Sequence, residues 1–477
     1  MRSERLDPIW SVAALLMGAA LIALVSVLMG AGLIDVSSRF NKPMPVIVLV
    51  LVLGPIVALA TFVTPRIAIA AVFIAFLAGP GPTKAAIAFF GVLVVLSRIA
   101  VGRTPLSWSP PLWWAAALCS WTLVVLGSAV DPVLATKETY LVLTGVLFAC
   151  IVLAACRTID DVRWVLGMIV LTATVITARA LTDAGQLAAT DRRTQVLGRA
   201  HGVFGSPNQL GSFCAMTAFC AIGLALGARS RLGRWLSVVA AGVLLAGLTF
   251  SLSRGAWIGT IVGLLFLLVA MKEARRVAVV IGLPLVVLAW TVGSFTPGNT
   301  QIRVITQRVG ALTFASPYDA RPAIWSEAWR EIREKPWTGE GPGDFPVSSL
   351  RAGAATSSVY ALHAHNIWLN LGAESGLPAV GIVIGLMIAL AFAGRRAARG
   401  ALARGDPRSR AVVGGLCAAL ITVVGQGFVD YTLRNVVIFI TLWGLIGLLL
   451  VARRDLMTRH REGPDEPEPG VGLPRAA

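Results

Sequence analysis

Apolar runs of bilayer-crossing length recur along almost the whole chain, and that repetition leaves few folds open to it. A helix needs roughly 20 apolar residues to span the hydrocarbon core, because each residue advances it by about 1.5 Å. Runs of this kind lie at 11–33, 45–63, 67–79, 84–97, 112–128, 138–156, 162–182, 208–228, 235–252, 255–270, 277–295, 366–393, 411–429 and 435–452. The short runs 67–79 and 84–97 flank Gly79, Pro80, Gly81 and Pro82, and form either two tilted spans or one hairpin dipping into the bilayer. The reading is an all-α polytopic membrane protein of about 12–14 transmembrane helices, with both termini on one side. Composition agrees: 56% of residues are hydrophobic and 14% charged, against roughly 45–50% and about 25% in soluble domains. A disordered chain, a disulfide-rich secreted scaffold and a soluble nucleotide enzyme are excluded.

The 41 Lys and Arg against 24 Asp and Glu leave a net charge of +17. In a soluble protein that excess would suggest nucleic acid. Here it gathers in short clusters against span ends: Arg2 and Arg5; Arg98 and Arg103; Arg229, Arg231 and Arg234; Lys272, Arg275 and Arg276; Arg395 to Arg410; Arg453 and Arg454. Such clusters mark cytoplasmic loops, so both termini are expected inside, in the inner membrane, with no nucleic-acid partner. The first apolar run, Trp10 to Ile34, is long enough to span rather than be cleaved. The tail from Arg461, rich in Pro, Glu and Gly, is expected to be disordered. All six cysteines lie in apolar runs without zinc-site spacing and read as small buried hydrophobes.

On the opposite face two loops have any size, 183–207 and 296–365. Function concentrates on loops presented by a rigid scaffold, and three of the four histidines, His201, His363 and His365, fall there, while His460 lies in the tail. His365 immediately precedes the span opening at Asn366, and an imidazole with a pKa near ambient pH suits a general base. The plain alternative is an interfacial histidine packed on Trp368. A metal site is not expected: on a helix His363 and His365, two apart, would point to different sides, with no evident third ligand.

The loop ending in Gly198–Gly211 is turned by Gly202, Gly205 and Pro207, with Asn208 expected to cap the next span and Arg199 just above the bilayer. Arg254 lies in the short turn Ser253 to Gly255 between two spans of the same face. So short a loop leaves it little freedom, as a positioned anion ligand requires; the alternative is an arginine snorkelling to headgroups. Asp430 is expected to pair with Arg434, the alternatives being to orient the imidazole or bind a sugar hydroxyl. Arg179, inside an apolar run, is expected at the outer interface or a cavity. In the long loop, 321–335 places Ile324, Trp325, Ala328, Trp329 and Ile332 at helical spacing, an amphipathic helix expected at the interface with both Trp anchors down and its charged face, including Arg330, Arg333 and Glu334, solvated. The glycines of 339–343 lack the Lys-Ser/Thr of a nucleotide loop.

These residues resemble the O-antigen ligase and O-antigen polymerase superfamily of bacterial envelope glycosyltransferases. The resemblance rests on Gly202 to Asn208 with Gly211, on Ser253 to Trp257, and on His365 and Asn366 followed after nine residues by Gly376. The glycine that the family pattern places three further on is Ala379 here, with Gly381 close behind. The motifs are short, so their order and topology over roughly 160–455 carry the match. The resemblance implies a metal-independent, cofactor-free, inverting glycosyltransferase. Its donor would be a polyprenyl diphosphate-linked glycan, and its acceptor a hydroxyl on a glycolipid, glycan or protein outside the cytoplasmic membrane. His365 would activate the acceptor, and Arg199 and Arg254 would bind the diphosphate; His363, His201, Asn208, Arg321 and Asp430 stand as supporting residues. Polymerisation of lipid-linked repeat units is the alternative activity, and transport of lipid-linked sugars a more distant one. The expected organisation is a membrane bundle over 1–295, the outer loop 296–365, a three-helix membrane segment over 366–452, and a cytoplasmic tail over 453–477.

Overall fold

The computed structural model describes residues 57, 59–61, 63–76, 80–100, 109–190, 199–277, 321–346 and 363–458. The expected spans at 11–33 and 277–295, most of that at 45–63, and the tail beyond Thr458 lie outside these residues. Within them the chain is helical, without strands. The helices are α1 Arg66–Ala75, α2 Pro80–Ala100, α3 Pro110–Leu126, α4 Pro132–Ala155, α5 Ile159–Thr190, α6 Pro207–Leu226, α7 Arg231–Ser251, α8 Arg254–Ala270, α9 Lys272–Val277, α10 Arg321–Glu334, α11 Ile367–Ala403, α12 Pro407–Gly427 and α13 Val436–Thr458. Seven of them, α4 to α7 and α11 to α13, are long and apolar enough to cross a membrane, and α1, α2, α3 and α8 carry shorter apolar stretches. The protein is an all-α polytopic membrane protein.

Local sequence explains the boundaries. Pro110, Pro132, Pro207 and Pro407 sit in the first turns of α3, α4, α6 and α12, where a missing N–H costs nothing. Asp131, Ser206, Ser230, Ser253 and Asp406 cap α4, α6, α7, α8 and α12 with their side-chain oxygens. The caps correct one expectation: Ser206, not Asn208, caps α6, because Pro207 occupies the first helical position and leaves Asn208 two residues inside the cap.

One apolar core runs through the bundle and joins residues from α1 to α8 with residues from α11 to α13. Close approach depends on small residues: a Cβ on Gly223 would lie 3.0 Å from Gly415 Cα, so α6 and α12 touch backbone to backbone. The basic clusters among the described residues fall together at one end, where Arg66 pairs with Asp161 at 2.9 Å and Arg229 with Asp160 at 2.8 Å. Two expectations change there. Arg395, Arg396 and Arg399 lie on the last turns of α11, which continues to Ala403, rather than in a loop. The final helix likewise runs on to Thr458, held because Arg454 donates to the Leu153 and Cys156 carbonyls and Asp455 accepts from Ile159 N at the start of α5.

The largest departure is in α11, read from sequence as one span. Gly376 adopts φ 75°, ψ 172° and breaks the helix, with Pro378 two residues on. Pro378 has no N–H and would clash with the Glu374 carbonyl, and the break leaves carbonyls to be satisfied. The preceding loop does this: Glu340 N donates to Ala373 O at 2.9 Å and Gly341 N to Glu374 O at 3.0 Å, while Trp121 Nε1 donates to Ser375 O at 2.8 Å. Gly339 and Gly341, both at positive φ, allow that approach. The glycine-rich stretch at 339–343 is thus a clasp on the broken helix. The amphipathic α10 packs on the same short arm of α11, burying Ile324, Ala328 and Ile332 against Phe345, Ala364 and Ala373. Arg333 and Glu334 lie exposed and Arg330 partly so, as expected of the charged face, while Glu327 and Glu331 are buried. Trp329 stays half exposed.

Candidate functional site

At the end of the bundle opposite the basic clusters, the turn before α11 meets the turn between α12 and α13. His365 Nδ1 lies 3.1 Å from Asp430 Oδ1. A buried carboxylate can only accept, so Nδ1 carries the proton and Nε2 keeps its lone pair. The imidazole is about a third exposed and Asp430 2% exposed, so a base faces the solvent-accessible side with its orienting anion behind it. Burial alone would raise the Asp430 carboxyl, but the hydrogen bond from His365 holds it below the usual range. Asp430 therefore does not pair with Arg434 as expected. Arg434 turns instead to Glu374 and to Glu138, 3.5 Å from its Nε, while Asp430 Oδ1 also accepts from Tyr431 N at 2.9 Å.

His363 and His365 are not on opposite sides of a helix. Both precede α11, with ring centroids 4.3 Å apart, edge to face, because His365 has φ 50°, in the left-handed region. The His365 N–H donates to His363 Nδ1 at 3.3 Å, which assigns the His363 proton to Nε2. Burial, then the neighbouring His365, pushes the His363 imidazole down to about 3; it is a neutral brace, packed on Tyr431 at 5.6 Å. Strain of this kind persists only when the surroundings over-determine it. Asn366 caps α11 and donates to Phe428 O at 2.9 Å, and Asn370 Oδ1 accepts from Ala364 N at 3.0 Å. Trp368 packs on Phe428, so the plain alternative for His365 is not what forms.

Beside this pair is a cavity of about 190 Å³ lined by Arg199, Asn208, Leu252, Arg254, Gly255 and Arg321. Arg199 Nη2 donates to Asn208 Oδ1 at 2.8 Å and its Nε to Ser251 O at 2.9 Å, which stiffens the guanidinium. Arg254 is not in the turn itself. Leu252 and Ser253 make the turn, and Arg254 opens α8. A cation there opposes the helix dipole, so the position serves something other than helix stability. Asn208 stands in the first turn of α6 and Arg321 is the first described residue of α10, so the starts of α6 and α8 and three guanidiniums converge, an arrangement suited to a phosphate-bearing anion. Gly255 joins the two halves: its Cβ position lies 3.2 Å from Asp430 Cβ.

Of the remaining candidates, His201 is bound to its own turn, Nδ1 lying 3.2 Å from Gly202 O and 3.3 Å from Phe204 O, and it joins neither half. Arg179 is exposed near the far end of α5. Sequence reasoning missed Glu138, Glu374, Asn370 and Gln426. Asn366, Asn370 and Glu374 recur every four residues, a polar stripe in an apolar helix that is a readable signal. Gln426, one turn before Asp430, is 2% exposed, and among the described residues neither amide atom has a partner; nor has Asp430 Oδ2.

Fold and site together define a polytopic membrane protein with a histidine–carboxylate pair beside an arginine-lined cavity at one end of its bundle. Residues 239–384 match the family model described as O-antigen ligase, in line with the resemblance read from the motifs. That region holds Arg254, Arg321, His363, His365 and Gly376, while Arg199 and Asp430 lie outside it. No curated protein matches the chain. The family match supports an O-antigen ligase-type glycosyltransferase of polysaccharide biosynthesis in general terms.

Proposed function

We propose that the chain moves a glycan from a polyprenyl diphosphate-linked donor to an acceptor hydroxyl at the outer face of the cytoplasmic membrane. The observation that carries this reading is the contact of Gly255 with Asp430, which sets an anion cavity beside an oriented imidazole. The diphosphate occupies the cavity, where Arg199, Arg254 and Arg321 oppose the charge that develops as it leaves. His365 Nε2 takes the proton from the acceptor hydroxyl. The acceptor oxygen bonds to the anomeric carbon as the bond to the phosphate oxygen breaks, inverting that carbon and releasing polyprenyl diphosphate. Asp430 stabilises the imidazolium. The guanidiniums supply the electrophilic charge, so the reading calls for no metal or cofactor. The outer orientation rests on the basic clusters at the other end of the bundle.

Replacing His365 by Ala tests the assignment. Transfer is expected to fall to background with protein level and membrane insertion unchanged; normal surface glycan in that variant overturns it. Lipid-linked polymer accumulating in the variant's membranes identifies a ligase. A ladder collapsed to single repeat units identifies the alternative, a polymerase.

A further inference from the structure

The second cavity lies at the opposite end, in a groove between the start of α3, the middle of α11 and the end of α13. It has a volume of about 290 Å³. Gly385, Ala389 and Ala393 form its floor, and the Trp114 ring fits there because a Cβ at Gly385 would lie 2.7 Å from it. Ile388 and Phe392 stand at its wall, 53% and 57% exposed. At its far end are two guanidiniums, Arg396 and Arg453, and among the described residues no carboxylate lines it.

Four aspartates of this end are committed elsewhere. Asp160 pairs with Arg229 and Asp161 with Arg66. Asp406 caps α12 through Ser409, and Asp455 accepts from Ile159 N. Neither Arg396 nor Arg453 has an ion pair among the described residues. Two like charges at the end of one apolar groove, with no counter-ion among the described residues, define the complement: an anionic head on an apolar tail. The dimensions agree. The α11 face from Arg396 to Gly385 rises about 16 Å, close to the roughly 15 Å depth of one hydrocarbon leaflet.

We infer that this groove seats one anionic phospholipid of the leaflet facing the basic end, its phosphate between Arg396 and Arg453 and one acyl chain along Trp114, Ile388 and Phe392. The guanidiniums select the headgroup charge, and the small-residue floor admits the chain against α11. The site stands apart from the proposed transfer chemistry and does not depend on it.

The test uses the full chain, purified in mild detergent, stripped of lipid and offered phosphatidylglycerol or phosphatidylcholine, with retained lipid counted by native mass spectrometry. Phosphatidylglycerol is expected to be retained about tenfold or more over phosphatidylcholine, as two neutralised guanidiniums imply. The double variant Arg396→Gln, Arg453→Gln is expected to lose that preference, while Arg395→Gln, Arg399→Gln, whose arginines do not line the groove, keeps it. Ala389→Phe fills the floor with both arginines intact and is expected to lose retention as well. Equal retention of the two lipids overturns the inference. So does a preference that survives in the first double variant, or one that survives Ala389→Phe, since that marks surface charge rather than a seated lipid.

Discussion

At the scale of single residues, the site depends on which atom of His365 carries its proton. Asp430→Asn removes the anion and offers an amide that can donate to Nδ1, which reverses the tautomer and takes Nε2 out of use. The expected loss is about 10²–10⁴ in kcat with little change in KM, measured as transfer from lipid-linked donor in membranes. An equal loss in Asp430→Ala and near-normal rate in Asp430→Asn would instead mean that Asp430 serves as a spacer. Arg254→Lys bears on the cavity. A point charge replaces a fork at a helix start, and the expected loss is about 10²-fold; wild-type turnover would leave Arg254 a headgroup anchor only. Residue identity alone leaves these two cases unequal. A fixed arginine beside a turn can be read from Ser253, Arg254 and Gly255 in sequence. Asp430 cannot: Arg434, four residues on, is the obvious local partner, and only the fold brings His365 closer and gives Arg434 two other carboxylates.

At the scale of elements, the broken helix α11 matters most. Its short arm, from Ile367 to the break at Gly376, presents Asn366, Asn370 and Glu374 to the site, while its long arm forms the span. Gly376 is the hinge point of that geometry, with its Cβ position against the Trp337 carbonyl. Gly376→Ala meets both the positive φ and that carbonyl, and is expected to lower stability by about 1–3 kcal/mol, read as an earlier melting transition in detergent. A melting point unchanged from wild type would show that the arm relaxes without cost and that the clasp is not built around the break. The apolar run of α11 is plain in the sequence, whereas the break is only hinted at by Gly376 and Pro378. What turns the hint into a stable kink is a set of donors from Glu340, Gly341 and Trp121 that no reading of α11 alone contains.

At the scale of the molecule, the two ends are chemically distinct. One collects the arginine clusters of the short connections, and the other the histidines, the arginine cavity and the buried Arg434–Glu374 pair. The positive-inside rule gives the proposed orientation of the bundle. Val203 and Leu402 are exposed at opposite ends. A cysteine at Val203 is expected to react with a membrane-impermeant maleimide in intact spheroplasts, and one at Leu402 only after permeabilisation. The reverse pattern would invert the proposed sidedness and rule out an outer-face reaction.

The number, order and polarity of most described spans are properties of the sequence by itself. They depend on the length of each apolar run and on the charges at its ends, and both act locally against a flat solvent boundary. Caps act locally too, yet Asn208, read as the cap of α6, gives way to Ser206 because Pro207 takes the first helical position. The tertiary structure alone decided the pairing of His365 with Asp430, the brace of His363, the clasp on α11 and the gathering of Arg199, Arg254 and Arg321 around one cavity. Those contacts join residues far apart in the chain. A buried polar group satisfies itself with whichever partner the packed helices bring within reach, and no local rule names that partner in advance.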